Sequence, residues 1–106
     1  MKNNKQQTVT LTKEDIAMAM SIIQTMRVVA INQNDKDEAN LMHELSDCLL
    51  RHHCNDDDTV SINLTREQCF SIWLSLDVYK DFCIEKMYTD ELTKVNRIMH
   101  NLRPQD

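Results

Sequence analysis

Six residues near the start of the chain return, rewritten, 53 positions later. Val9-Thr10-Leu11-Thr12-Lys13-Glu14 falls on Ile62-Asn63-Leu64-Thr65-Arg66-Glu67, so apolar, polar, apolar, Thr, base and acid recur in order. A chain of 106 residues holds a single domain with one core. Two copies of one pattern must therefore share that core, and the natural arrangement is a pseudo-two-fold axis with equivalent faces meeting.

The local meaning of the pattern is strand, then helix. Val9 and Leu11, and again Val60, Ile62 and Leu64, alternate with polar residues as in a strand with one apolar face. Thr12 and Thr65 then stand where a helix needs an N-cap. A threonine hydroxyl accepts an N–H of the first turn, and Asp15 or Gln68 three residues on completes a capping box. The helices that follow also align. Ile16, Ala19, Met20, Ile23, Met26 and Ala30 match Cys69, Ile72, Trp73, Leu76, Tyr79 and Cys83, each set forming one helical stripe. The second helices align with an offset near 50: Met42, Leu45, Cys48, Leu49 and His52 fall on Leu92, Val95, Ile98, Met99 and Leu102.

The pattern predicts helices at about 13–31, 35–54, 66–86 and 89–102, within pseudo-repeats at approximately 7–55 and 58–104. The chain contains no glycine, so Asn32 and Asn55 are the expected stand-ins for helix-ending residues with left-handed backbone, and Pro104 follows the last helix. The fold expected is mainly α: a four-helix arrangement of two strand–helix–helix repeats with a small two-stranded antiparallel ribbon. Such a ribbon is marginal alone and must lean on the helices.

The same lack of glycine removes several function classes. Phosphate-cradling loops, dinucleotide fingerprints and nucleophile elbows all need backbone positions that only glycine supplies. The longest apolar runs, such as Val28–Ile31, are far too short to span a bilayer, and "MKNNKQQ" contains no apolar export signal. A cytoplasmic location with Cys48, Cys54, Cys69 and Cys83 as free thiols is therefore expected. Net charge is −5 and is concentrated: residues 35–58 hold eight acids against Lys36 and Arg51. Direct nucleic-acid binding lacks its basic footprint, and an anionic membrane would repel this segment.

Chemistry-bearing clusters are few. In "HELSDCLLRHHC", Cys48 and His52 are one helical turn apart, with His43, His53 and Cys54 nearby. An i, i+4 thiol–imidazole pair suits zinc, but no second pair stands at finger spacing, and Cys48 also belongs to the apolar stripe of its helix. Cys48 and His52 are thus weak metal candidates, and no cofactor is expected. Adjacent His53 and Cys54 point apart on a helix and do not make a nucleophile–base pair. Glu44-x-x-Asp47 supplies half of a magnesium-binding carboxylate set, yet residues 16–31 contain no acid to face it. A metal-dependent or Cys-based enzyme is the least supported reading, and the chain is expected not to be an enzyme.

What remains is surplus apolar surface. Residues 16–31 are apolar at twelve of sixteen positions and residues 69–84 at eleven, more than one stripe requires. Phe70, Leu74, Val78 and Phe82 form a second ladder at i, i+4 spacing, and Met18, Ile22 and Val29 make a similar one on the first helix. Each such side chain gains about 1.5–3 kcal/mol when buried, and a chain this small has little left to cover them. The expected function is a small acidic helical protein-interaction module, a homodimer that acts by binding another protein. Its interface would be Phe70, Leu74, Val78, Phe82, Met18 and Ile22. Asp35, Asp37, Glu38, Asp56, Asp57 and Asp58 would form an acidic surface on the rim. The alternative is an acidic inhibitor of a nucleic-acid-binding enzyme, of the phage or mobile-element counter-defence type, in which the run of carboxylates imitates a phosphate backbone.

Overall fold

The structure, a computed structural model, describes residues 6–53 and 58–103. The chain runs β1 (Gln6–Thr12), α1 (Lys13–Asn32), α2 (Lys36–His53), β2 (Thr59–Thr65), α3 (Arg66–Lys86) and α4 (Thr89–Asn101). Strand–helix–helix thus occurs twice in order.

Both strands pass into their helices without a loop, and the threonines explain how. Thr12 and Thr65 have extended backbone and end their strands, while each hydroxyl accepts a first-turn N–H: Asp15 N to Thr12 Oγ1 and Gln68 N to Thr65 Oγ1, both 3.1 Å. At Thr65 the box closes, with the Gln68 carbonyl oxygen accepting the Thr65 N–H at 2.9 Å. At Thr12 it stays open because the Asp15 side chain is engaged elsewhere.

The strands pair antiparallel, with Val9 opposite Ile62 and Leu11 opposite Val60. Val9 and Ile62 are also the residues that the 53-residue shift superposes. On the outer face Thr8 donates to Asn63 Oδ1 at 2.8 Å, and the Thr10 and Ser61 hydroxyls meet at 3.2 Å. The Lys13 N–H donates to the Asp58 carbonyl at 3.0 Å, extending the ladder one step past the strands.

The inner face of the ribbon, Val9, Leu11, Val60, Ile62 and Leu64, is buried against all four helices. Ile16 and Ile23 of α1, Leu45 and Leu49 of α2, Ile72 and Leu76 of α3, and Val95 and Ile98 of α4 complete one core. The expected stripes are confirmed at their centres. Met20, Met26, Trp73 and Tyr79, at their margins, are only partly covered, and so is Cys48.

The helix ends differ from expectation in one respect. α1 runs through Asn32, so the left-handed residue is not Asn32 but Asn34 (φ 58°), after the C-cap Gln33. The Asn34 N–H donates to Ile31 O and that of Asp35 to Ala30 O, satisfying carbonyls that α1 leaves open. At the end of α3 the left-handed position is Met87 (φ 60°), and the Tyr88 N–H returns to Cys83 O at 2.9 Å. Asn55 and Pro104, the other expected helix-ending residues, lie outside the described residues.

Candidate functional site

α3 is apolar on two sides, and the fold uses only one. Cys69, Ile72, Leu76 and Cys83 face the core and are 0–1% exposed, whereas Phe70 (52%), Leu74 (43%), Val78 (56%) and Phe82 (43%) remain at the surface. A side chain at i+4 lies over the previous turn, so these four form a single ridge along the helix.

Phe70, Leu74 and Val78 form one wall of a groove of about 380 Å³, with Met26, Val29 and Ala30 of α1 opposite. The groove exists because α3 presents small residues toward α1 at this level. Ser71 and Ser75 line it, and Ser75 donates its hydroxyl to the Ser71 carbonyl at 3.0 Å, satisfying itself within its own helix. Glu67 lies at one end, and Gln33 and Glu38 lie where α1 gives way to α2. Among the described residues no Lys, Arg or His lines it.

The other expected interface residues separate from this surface. Phe82 does not line the groove; its ring packs between Tyr79 and Tyr88, with both centroids at 5.9 Å, and pins the α3–α4 connection. Ile22 is corrected from surface to core, at 4% exposure. Residues at the crossing of α1 and the core alternate too finely for spacing alone to separate the two sides. Met18 is half-buried. It and Ile22 border a different groove of about 350 Å³, with Tyr79 and Lys94, which shares no residue with the first. Val29, by contrast, is exposed and belongs to the groove beside α3.

The described acids of residues 35–58 are spread from the start of α2 to the approach to β2. Asp35, Asp37 and Glu38 are exposed at the start of α2, where Asp35 Oδ1 accepts the Glu38 N–H at 3.2 Å. Asp58 is exposed before β2, and the 18 residues of α2, about 27 Å of helix, intervene in sequence. Asp56 and Asp57 lie outside the described residues. Glu44 and Asp47 are exposed on α2, with Asp47 3.7 Å from His43.

Cys48 and His52 are both half-buried on α2. Among the described residues no three His, Cys, Asp or Glu side chains come together as metal ligands would. Cys54 lies outside the described residues. Cys48, Cys69 and Cys83 are free, and burial pushes the Cys69 and Cys83 thiols above their usual range, away from the reactive thiolate. Burial likewise raises the Tyr79 phenol, with Cys83 and Glu91 adding to the shift. No described helix is long and apolar enough to cross a membrane.

Two ion pairs tie the start of α1 to α4. Asp15 is buried at 2% exposure, and its carboxylate accepts a fork from Arg97: Nε at 3.2 Å to one oxygen and Nη2 to the other. Lys94 meets Glu14 at 2.8 Å. Lys94 holds the Glu14 carboxyl below its usual range, Glu14 raises the Lys94 ammonium in return, and Asp15 raises the Arg97 guanidinium. The sequence pattern assigns Asp15 to a capping box, because nothing local reveals that a base 82 residues away arrives beside it. Comparison of the chain with protein-family models, curated proteins and solved structures finds no match.

Proposed function

We propose that this chain is a cytoplasmic protein-interaction module rather than an enzyme, and that the outer face of α3 with its neighbouring groove is the contact surface. The observation that carries the reading is the ridge of Phe70, Leu74 and Val78, exposed by 43–56% on a helix whose opposite side completes the core. Leaving such side chains in water forgoes stabilisation, and contiguous apolar surface rimmed by polar groups is the usual mark of a protein contact. The face closes on another polypeptide.

The acidic-inhibitor reading has less behind it, because the exposed acids Asp35, Asp37, Glu38, Glu44, Asp47 and Asp58 have no apolar anchor among them comparable to the ridge of α3.

The test compares the wild-type chain with Leu74→Asp/Val78→Asp. Light scattering at micromolar concentration reads self-association, and affinity capture with both proteins reads other partners. The reading requires that the substitution remove either the dimer or a specific captured protein while the circular dichroism spectrum stays unchanged. Identical association and capture by the two proteins defeat it.

A further inference from the structure

The contact surface described above carries an electrostatic pattern that selects among occupants. Glu38 and Glu67 line the groove, and among the described residues no base does. Glu67 precedes Phe70 by three residues and Leu74 by seven, so it stands on the ridge's own face. Glu85 follows Phe82 by three and Val78 by seven, and Asp81 follows Val78 by three, so both stand there too. All three are exposed. The base inside the ridge's span, Lys80, is two residues from Val78 and Phe82 and therefore turned off the face. The end of α1 adds to the same sign. Its last turn carries no basic residue to offset the negative end of the helix dipole, and its final residues border the groove.

A second copy fits this pattern badly. Two α3 helices packed antiparallel about the centre of the ridge bring Glu67 of each toward Glu85 of the other, and each chain carries a net charge of −5. Like charges directly opposed across an interface act as a device against pairing. An apolar segment flanked by cations meets both requirements at once. The groove between two helices, with anchors at i, i+4 and i+8, matches the face of a third helix.

Resting on the reading of this face as the contact surface, we propose that its occupant is a basic amphipathic helix of another protein. Apolar side chains of that helix fill the groove between Val29 and the Phe70–Leu74–Val78 ridge, and its lysines or arginines sit against Glu38, Glu67, Asp81 and Glu85.

The probe is an 18-residue fluorescein-labelled helical peptide with leucines on one face and lysines elsewhere, read by fluorescence anisotropy. A second peptide has glutamate in place of every lysine. The lysine peptide should bind at least about tenfold more tightly than the glutamate peptide, and its affinity should fall as salt rises. Leu74→Ser/Val78→Ser should lose about tenfold. Glu38→Gln/Glu67→Gln should lose about fivefold, as two surface ion pairs imply. Glu44→Gln/Asp47→Asn, with the same charge change away from the groove, should stay within about twofold.

Equal affinity for both peptides overturns the basic-helix proposal, as does an equal loss from the remote and groove-lining charge variants. A wild-type dimer that Leu74→Ser/Val78→Ser dissolves, and with which the lysine peptide does not compete, overturns it in favour of a second copy while leaving the contact surface intact. If the apolar double substitution changes neither peptide binding nor oligomeric state, the proposed function falls as well.

Discussion

Leu74 and Leu76 are two residues apart on one helix and face opposite environments, which makes them a matched pair. Leu76 is 0% exposed, and truncating such a residue to Ala removes its transfer free energy and leaves a cavity, together about 3 kcal/mol. For a domain of this size that lowers the thermal midpoint by roughly 12–20 °C and consumes much of a total stability of about 5–15 kcal/mol. Leu74 is 43% exposed, so little more than half of its side chain leaves water. The same truncation removes three carbons worth about 0.8 kcal/mol each, scaled by that fraction and with no sealed cavity, or about 1–1.5 kcal/mol. Urea unfolding followed by circular dichroism, repeated across a hundredfold range of protein concentration, measures both. The expected result is a Leu76→Ala loss two to three times that of Leu74→Ala, with little dependence on concentration. Equal losses at every concentration would show that the ridge is already covered in the isolated chain, and the argument from exposed apolar surface would fail. A Leu74→Ala loss that grows with concentration would mean that a second copy covers it.

Other expectations follow from single positions. Met87 holds a left-handed backbone that costs a non-glycine residue about 1 kcal/mol, and its side chain is 82% exposed, so Met87→Gly should raise the urea midpoint; a fall would show that the side chain contributes packing. Thr65→Ala removes a complete capping box and should cost about 1 kcal/mol, more than Thr12→Ala, where the box is open; thermal melts of the two decide the order. For Glu14, the lowered folded carboxyl pKa means that its contribution is present above the unfolded value and lost as pH falls through the folded one. For Lys94, the raised pKa means a contribution complete below the unfolded value and lost as pH rises through the folded one. The midpoint difference between wild type and Glu14→Gln should therefore be flat across neutral pH, shrink in acid, and weaken with salt because Glu14 is exposed and Lys94 only half-buried. A difference that grows on acidification contradicts the pairing.

The four helices, the alternating strands and the threonine caps were legible in the chain because each is a local matter. A hydroxyl three residues before an N–H, or an apolar residue every second position, needs no distant partner to be recognised. That is why the expected helix limits agree with α1–α4 to within one residue, and why Val9 and Ile62, aligned by the shift, also face each other in the ribbon. The double-sided character of α3 was legible for the same reason: eleven apolar residues in sixteen exceed what one stripe can use.

What only the packed molecule decided depends on residues far apart in sequence meeting at defined angles. Asp15 looks like a cap until Arg97 arrives from α4. Ile22 and Val29 share one ladder on α1, yet the first is buried with the core and the second is exposed along the groove beside α3. Phe82 continues the ridge by spacing but is taken by Tyr79 and Tyr88. The groove itself arises only where Ser71 and Ser75 pass Ala30, because small side chains at that level leave space that larger ones would fill. Periodicity determines which residues share a helix face; the placement of neighbouring helices determines which part of that face stays in water.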